Sequence, residues 1–495
     1  MAATDQLPVF HVVGFTGHRQ VDDVAGTERA VREVLAGLRA ESGVEWLALS
    51  SIAAGSDMIF ARAVRSLGMG WEVVLPLPPG EFRHDFDAST WRDVETLLAE
   101  AEHVRVIGER TTRSDAYLDG GMETVNGCDL LLAVWDGEPA RGRGGTAEIV
   151  AYARELGRPV IIVDARTLAV RRENFERLKV GDRHLKHFNA LPAAPGPAAS
   201  DTGGGDAHRQ RVQAFQSKVD HAATHGAPHF RRLITITVGL HALATSLAAL
   251  SVALDLHLAL LPWGKLLCLF GAVGVALLVR HYRHRLDWMR CRLAAEITRS
   301  ALATWGLRRS LRLFDDFDWA GLEPLRRSLD VLQRRAAQAN SAGFDDFKQR
   351  YITERIDGQL AYFAKQEARA VPLLGRLRTG FGVSSILAII FTAAYALHST
   401  TDTPAPDWVR DWVFEFAPIV LPVLAAAFIS LVSINDLHRR VARYKEMRVR
   451  LETARKEAVF VQTWGSLERV VTKAERALLQ EVFEWHSITS FTESH

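Results

Sequence analysis

The stretch CDLLLAVWDGEPARGRGGTAEIVAYARELGRPVIIV, residues 128–163, decides the fold of this chain. It contains two short apolar runs, Leu130–Val134 and Val160–Val163, which are separated by a glycine-rich segment and a helical pattern. Apolar runs of this length, partly β-branched and bounded by turn residues, are typical of buried strands. The stretch therefore predicts two strands of one sheet.

Three further runs of the same kind lie nearer the N-terminus, at Val9–Val13, Trp46–Leu49 and Val73–Leu75. Helical patterns such as Thr27–Leu38 separate the runs. Strands that alternate with helices are typical of a parallel sheet with helices on both faces. We therefore predict that residues 8–190 form an α/β domain with a doubly wound, Rossmann-like parallel sheet.

A change of composition marks the end of this domain. Residues 191–206 read LPAAPGPAASDTGGGD, which has neither helical nor strand periodicity and is rich in Pro, Gly and Ala. Such a composition is typical of a linker.

Four apolar stretches follow the linker, at Leu233–Leu254, Leu258–Val279, Thr379–His398 and Phe416–Ile434. Each has roughly the ~20 residues that a helix needs to cross a bilayer. We predict an all-α membrane domain with four transmembrane helices in two hairpins. Residues 207–310 would form the first two-helix module and residues 311–495 the second, each with flanking cytosolic helices.

The distribution of cations predicts the orientation of these hairpins. The segment between the third and fourth stretches has only Arg410, whereas eight Lys and Arg residues crowd the exit of the fourth, between Arg439 and Lys456. Cytoplasmic flanks carry such an excess of positive charge. The first residues have no basic flank before an apolar core, so we expect no cleaved signal peptide. Both termini are therefore predicted to lie in the cytoplasm, with the chain in a bacterial inner (plasma) membrane.

Charge and cysteine content exclude several classes of protein. The formal net charge is only +2, which argues against a dedicated nucleic-acid binder, and we expect no direct contact with nucleic acid. The three cysteines, Cys128, Cys268 and Cys291, are far apart, so neither a disulfide framework nor a zinc site is indicated. His18, His84 and His103 share no ligand spacing with the cysteines or with one another, and we predict no metal site.

Three loops carry candidate ligand-binding residues, because ligands of open parallel sheets bind beyond the carboxyl ends of the strands. The loops are GFTGHR at residues 14–19, AGSD at 54–57, and DG at 136–137 with GRGGTAE at 142–148. Glycines let backbone amides approach a phosphate, and an arginine can pair with its oxygens. The candidates are Gly14, Thr16, Gly17, His18, Arg19, Gly55, Ser56, Asp57, Asp136, Gly144, Gly145, Thr146 and Glu148.

Each loop also has a purely structural explanation. Glycines in strand-to-helix turns supply positive φ angles whatever the turn binds. Ser56 or Asp57 can cap a helix, and Glu148 in a first turn complements the helix dipole. Both explanations stay open at this point.

At these motifs the N-terminal part resembles the SLOG superfamily, which is related to DprA-type and Lonely-Guy-type Rossmann proteins and to nucleoside deoxyribosyltransferases. The matching motifs are GFTGHR, AGSD and residues 128–163. The resemblance implies that the loops bind a nucleotide or a nucleotide-derived signal, such as a cyclic nucleotide, ADP-ribose or an NAD-like molecule. It also implies that Glu148 inherits the position of a glutamate that takes part in N-glycosidic cleavage in enzymatic relatives. The spacing of Glu148, two residues after Thr146, is nearer to the deoxyribosyltransferase arrangement.

The C-terminal part resembles the SLATT group of two-helix membrane modules, which are associated with SLOG domains. The resemblance rests on YITERIDGQ at residues 351–359 and on the Arg-rich helix that ends at TWG, residues 463–465. It implies a pore-forming or membrane-disrupting effector of bacterial antiphage defence. We expect this effector to be a homo-oligomer, and an enzyme that makes its nucleotide second messenger to be encoded nearby.

Three hypotheses follow for the function. The first is a membrane effector gated by a nucleotide signal, which permeabilises the bilayer when the cytosolic domain binds its ligand. The second is a membrane-anchored nucleosidase or NAD-type N-glycosidic hydrolase that uses Glu148, with Asp129 or Asp136 orienting the ribose. The third is a constitutive scaffold whose sensor is a relic.

Overall fold

The computed structural model describes residues 5–41, 43–107, 112–140, 142–179, 183–195, 206–253, 260–281, 284–307, 321–339, 343–401 and 404–491. The chain forms two compact units: Met1–Phe215 with Phe314–Ser341, and Gln216–Leu313 with Ala342–His495. Residues 196–205 of the predicted linker lie outside the described residues, as do the boundary at residues 310–311 and the segment 254–259 between the first two apolar stretches.

The first unit is built on one sheet of seven strands. The strands are β1 (Val9–Gly17), β2 (Val44–Ser50), β3 (Trp71–Leu75), β4 (His103–Val106), β5 (Leu130–Trp135), β6 (Val160–Asp164) and β7 (Val170–Glu173). Their spatial order is β4-β3-β2-β1-β5-β6-β7. All neighbours are parallel except β6 and β7, which are antiparallel. The doubly wound, Rossmann-like sheet predicted from the sequence is confirmed.

Helices flank this sheet. They are α1 (Val24–Arg39), α2 (Ser56–Ser66), α3 (Pro79–Phe82), α4 (Ala88–Glu100), α5 (Arg113–Gly127), α6 (Thr146–Glu155) and α7 (Arg183–Asn189), with 3-10 turns at Arg83–Asp85 and Phe175–Lys179. The apolar side chains of β1, β2, β3, β5 and β6 form the core together with those of the first helices. These five strands are buried between the helices because their side chains are apolar on both faces of the sheet.

Two strands escaped the sequence analysis, namely β4 and β7, which lie at the two edges of the sheet. Their sequences are HVRV and VRRE, and their side chains are half-buried or exposed. Edge strands face solvent and commonly carry charged residues. They therefore lack the apolar run that revealed the five central strands.

The second unit is helical. Its helices are α8 (Ala207–Ala253), whose first residues belong to the first unit, α9 (Leu260–His281), α10 (His284–Ala303), α12 (Phe344–Arg350), α13 (Gly358–Thr401), α14 (Asp407–Val409), α15 (Ala417–Ile434), α16 (Leu437–Phe460) and α17 (Trp464–Phe491). Helix α11 (Glu323–Ala339) belongs to the first unit. Turns of π-helix at Tyr351–Asp357 and Arg410–Phe416 join α12 to α13 and α14 to α15.

Four of these helical segments are long and apolar enough to span a membrane. They are Thr235–Ala253 in α8, Leu260–Leu278 in α9, the run Phe344–Thr401 that contains α13, and the run Asp407–Phe460 that contains α15. Each predicted apolar stretch falls on one of them. Few of their residues are buried within the chain, which leaves apolar surface for lipid.

Close packing joins the two helices of the second hairpin. A Cβ atom at Gly380 of α13 would lie 3.0 Å from the ring of Phe428 of α15, so the absence of a side chain lets the helices approach. Beyond the hairpin, Tyr444, Met447 and Leu451 of α16 are buried in a core shared with α13 and α17.

The two units divide the chain differently from the predicted domains, because residues 207–215 and 314–341 belong to the first unit. Residues 311–495 were predicted to form the second membrane module, but the structure places α11 against the sheet of the first unit. The apolar side chains of Leu325, Leu329 and Leu332 are buried there. No local pattern indicates this partner, because α11 and the sheet are far apart in sequence.

Candidate ligand-binding cleft

A cleft of about 930 Å³ lies beyond the carboxyl ends of the central strands. From β1 the chain continues to β2 on one side, and it returns later to place β5 on the other side. The loops after β1 and β5 therefore diverge, which opens a crevice at this topological switch point. The predicted loops at residues 14–19, 54–57 and 142–148 all contribute residues to the cleft or support its walls.

The structure brings most of the candidate residues to the cleft but leaves others behind its walls. Those that line it are Thr16, Gly17, His18, Arg19, Asp57, Gly144, Gly145 and Thr146. Those that do not line it are Gly14, Gly55, Ser56, Asp136 and Glu148. The second group has structural roles that follow from its contacts.

Ser56 and Gly55 hold the loop after β1 in place. The backbone N–H and the hydroxyl of Ser56 both donate to the carbonyl oxygen of His18, at 3.0 and 2.8 Å. Gly55 has a φ of +94°, and a Cβ atom there would overlap the carbonyl of Arg19. Only glycine tolerates this combination, because the conformation is strained and the backbone of the other loop occupies the space. These two residues therefore position His18 and Arg19.

Gly14 and Gly144 let other parts of the scaffold approach. Gly14 packs on Cys128, whose sulfur would be 2.8 Å from a Cβ atom. Gly144 has a φ of +76°, and a Cβ atom there would be 2.7 Å from the backbone nitrogen of Leu118 in α5. The glycine-rich loop is thereby pressed against α5.

Glu148 braces its own loop. Its Oε2 atom accepts a hydrogen bond of 2.7 Å from the backbone N–H of Gly144. A glutamate in the first turn of a helix commonly reaches back to an N–H before the helix. Its carboxylate is therefore engaged with the protein and does not line the cleft.

His18, which lines the cleft, pairs with the buried side chain of Asp136. The His18 Nε2 atom lies 3.1 Å from the backbone nitrogen of Asp136 and 2.9 Å from its Oδ1 atom. An unprotonated Nε2 accepts from the N–H, whereas a protonated Nε2 donates to the carboxylate, so the two contacts belong to different protonation states. Arg166 lies 3.4 Å from the other carboxylate oxygen. In either state, Asp136 orients the ring of His18.

Helix α5 supplies cleft residues that the sequence analysis missed. Arg113 donates a 2.6 Å hydrogen bond to Asp85, and the hydroxyl of Tyr117 bonds to the same carboxylate. The guanidinium of Arg19 stacks over the Tyr117 ring at 4.7 Å from its centre. Because β4 was not predicted, α5 could not be placed after a strand. The only signal was Arg113 itself, an arginine at the start of a helix after an unassigned segment.

The positive side chains of the cleft come from three elements. Arg19 follows β1, Arg113 begins α5, and Arg143 precedes α6. The Arg143 side chain pairs with Asp115 at 2.9 Å but stays mostly exposed. Arginine is suited to phosphate because its planar fork donates two parallel hydrogen bonds.

The N-terminus of α6 opens into the cleft. Gly145, the residue before the helix, has no side chain that could cap it. Within the part of the chain that the structure describes, the N–H groups of Thr146 and Ala147 have no acceptor. Free N–H groups and the helix dipole together favour an anion at this position.

Asp57 is the buried acid of the cleft. Burial raises its pKa to about 7, although backbone hydrogen bonds and the charge of Arg19 act in the opposite direction. A carboxyl with a raised pKa holds its proton to higher pH, and the neutral form does not repel an anion.

Metal ligands do not gather in the described ranges: no group of three or more His, Cys, Asp or Glu side chains there could hold an ion.

A comparison with models of known protein families finds no match to this chain, and a search among curated proteins finds none either. The resemblances to the SLOG and SLATT groups therefore stay predictions.

Proposed function

We propose that the cleft binds a phosphorylated nucleotide derivative and that this ligand controls the membrane helices of the chain. The ligand class would include cyclic nucleotides, ADP-ribose and NAD-like molecules. The chain would act as a homo-oligomeric effector in a bacterial inner membrane, with both termini in the cytoplasm, and permeabilise the bilayer when the signal binds.

One observation carries the proposal for the ligand. Three arginines and the uncapped N-terminus of α6 converge on one cleft at the switch point of a parallel sheet. A single positive group is common on protein surfaces, but this set offers both charge and directed N–H donors to a phosphate. A volume of about 930 Å³ is at the upper end of the range for small-molecule sites and has room for a nucleotide derivative.

The proposal for the output rests on the four membrane-capable helices. Helix α8 starts in the first unit and contains the first of these segments, so one helix joins both parts of the chain. A ligand shifts a closed-to-open equilibrium only by its difference in affinity for the two states. The arrangement of the cleft must therefore differ between the two states.

The enzymatic alternative has less support. Hydrolysis of an N-glycosidic bond would need the Glu148 carboxylate in the cleft, whereas this carboxylate accepts from the Gly144 N–H and does not line the cleft. Asp129 also lies away from the cleft, in an ion pair with Arg327. Base release from NAD or nucleosides by the full chain, abolished in Glu148→Gln, would instead support an enzyme.

Binding by the purified full-length protein in nanodiscs tests the proposed ligand class. Isothermal titration calorimetry would measure the affinity of the protein for ADP-ribose, NAD and cyclic mono- and dinucleotides. We expect one of these molecules to bind. Arg19→Ala should weaken its binding roughly 10- to 100-fold, because the variant loses a charged hydrogen bond to the ligand. Arg62→Ala is the matched control, because Arg62 is exposed and pairs with Glu28 away from the cleft.

The effector role is tested by dye release from liposomes that contain the protein. We expect the nucleotide that binds in calorimetry to increase release in the wild type and in Arg62→Ala but not in Arg19→Ala. Binding of the nucleotide without dye release would contradict the proposed permeabilisation of the bilayer. No binding by any member of the panel, or equal binding by the two arginine variants, would contradict the cleft.

A further inference from the structure

Helix α8 carries a polar face through the first membrane-capable segment, Thr235–Ala253. Thr237, His241 and Thr245 follow one another at intervals of four residues, and an α-helix places residues at this spacing on one side. His241 is the one ionisable side chain in the sequence of the segment, and it is exposed. It is the seventh of the 19 residues, which puts it roughly 9 Å inside the segment at the rise of an α-helix. His241 therefore lies within the depth of the hydrocarbon.

Hydrogen bonds to the helix backbone satisfy this face except for one atom. The hydroxyls of Thr237 and Thr245 donate to the carbonyls of Leu233 and His241, at 3.1 and 3.0 Å. The His241 Nδ1 atom lies 2.9 Å from the carbonyl of Thr237, and a carbonyl only accepts, so Nδ1 carries a proton. In the neutral ring Nε2 is then an acceptor, and it needs a hydrogen-bond donor that the described residues do not supply.

Lipid cannot supply this donor to the His241 ring. Hydrocarbon contains no hydrogen-bonding groups, so an unsatisfied polar atom within it is costly. A long side chain near the end of a span avoids this cost by reaching the interface, as Lys265 can near the start of α9. A histidine has a single methylene between its ring and the backbone, and it cannot reach as far. Ionisable side chains within membrane helices therefore face the interior of an assembly or a water-filled cavity.

The opposite side of α8 has large apolar side chains at the same depth. Leu240 faces α9, since a Cβ atom at Gly271 would lie 3.4 Å from its Cδ1 atom. Ile236 and Leu243 are exposed. Successive residues of an α-helix turn by about 100°, so Leu243 lies nearly opposite His241. At this depth, the two sides of α8 therefore suit different surroundings.

We infer that the His241 face of α8, formed by Thr237, His241 and Thr245, lines water inside an assembly of several copies of this chain. Water supplies the donor to Nε2, and the copies keep lipid away from the face. The cost of an imidazole in hydrocarbon is present whether or not a ligand is bound, so the face is hydrated in the resting protein too. That several copies assemble rests on the proposed function; the inference adds which helix borders the water.

Cysteine accessibility of the full-length protein in nanodiscs, without any nucleotide, tests this inference. His241→Cys and Thr245→Cys each place a thiol on the face, and Leu243→Cys is the matched control because its depth lies between theirs. A Cys268→Ala background leaves only buried cysteines. A thiol reacts as its thiolate, which forms in water, so a charged methanethiosulfonate should modify both face thiols at least about tenfold faster than the control.

Equal modification rates at the three positions, or slow modification of both face thiols, would overturn the inference, because the face would then contact lipid or packed protein. Thr245→Cys is close to the original side chain in size, so it reports on the face if His241→Cys does not fold. Dye release separates this result from the proposed function. Fast modification of the face without nucleotide-induced release would contradict only the proposed permeabilisation, whereas release with slow modification of the face would overturn only this inference.

Discussion

The carboxyl group of Asp57 sits in a cleft whose other charged groups are mainly arginines, and it is buried. Burial opposes ionisation, so its pKa of about 7 lies above the usual range for a carboxyl. An anion that binds nearby meets a neutral group at lower pH and a negative charge at higher pH. If the cleft binds a phosphate as proposed, protonation of Asp57 lowers the repulsion between this carboxyl and the ligand.

We predict that stability falls as pH rises from about 4 to 7. The folded state keeps the Asp57 proton in this window, while the unfolded state, with the ordinary pKa, has lost it. The contribution of this proton to the free energy of unfolding is therefore largest near pH 4 and is lost as the pH rises to 7, where the folded state loses the proton too. Denaturant unfolding of wild type and Asp57→Asn, measured from pH 4 to 8, checks the effect.

Asp57→Asn should show a flatter dependence, because the amide oxygen can still accept backbone hydrogen bonds but does not titrate. Identical pH slopes for the two proteins would contradict the assignment to Asp57. Affinity for a nucleotide should also decline through pH 7 in the wild type only.

Some features of the cleft could be predicted from the sequence and others could not. The glycines and Arg19 were found because strand-to-helix turns have a recognisable composition. The bond from Gly144 to Glu148 was not found, nor was the contribution of Tyr117, because both depend on how loops meet in space. The position of the cleft, at the carboxyl ends of the strands, could be predicted, whereas the division between lining and supporting residues could not.

At the scale of elements, a buried ion network ties together three helical segments of the second unit. Arg355, in the π-helical turn before α13, donates to Glu475 of α17 at 2.6 and 2.8 Å and to Glu296 of α10 at 3.0 Å. The hydroxyl of Tyr351 also donates to Glu475, at 2.9 Å. A buried charge without its partner is costly, so this network specifies how the segments meet.

We predict that Arg355→Met destabilises the second unit by about 3–5 kcal/mol, because it removes the cation between two buried carboxylates and leaves Glu475 with the Tyr351 hydroxyl and Glu296 with Arg299. Arg450→Met is the control, since Arg450 pairs with Glu446 on the exposed face of α16 and such pairs contribute at most about 1 kcal/mol. Unfolding in a denaturing detergent series, followed by tryptophan fluorescence, measures both. Equal losses in the two variants would show that burial of the network has no special weight.

Some secondary-structure elements have a local sequence pattern that predicts them, and others do not. Five strands and four apolar helices follow from local runs of residues. The edge strands β4 and β7 carry too many exposed polar side chains for such a run. The docking of α11 is beyond local patterns, because its amphipathic sequence fits any apolar surface.

For the whole molecule, the cations at the exit of the fourth stretch predict which side of the membrane each loop faces. Asp407, before the fourth span, and Arg439, after it, are both exposed in the structure. Cysteines placed at these positions report the orientation, in a Cys268→Ala background because Cys128 and Cys291 are buried.

We expect a membrane-impermeant maleimide to label Asp407→Cys but not Arg439→Cys in intact spheroplasts, since positively charged flanks stay in the cytoplasm. Both should react after the membrane is permeabilised. Labelling of Arg439→Cys in intact cells would reverse the topology, and recovery of the protein in the soluble fraction would remove the membrane assignment.

The position of α11 has a consequence for how the protein is made. Residues 321–339 leave the ribosome only after the first two apolar helices have been synthesised, and domains that form during translation begin with the residues that emerge first. The acidic strand ends Glu45, Glu72 and Glu102 therefore have no arginine partners in α11 until the first two apolar helices have been made. The α/β unit, and with it the cleft, is thus completed only after those two helices.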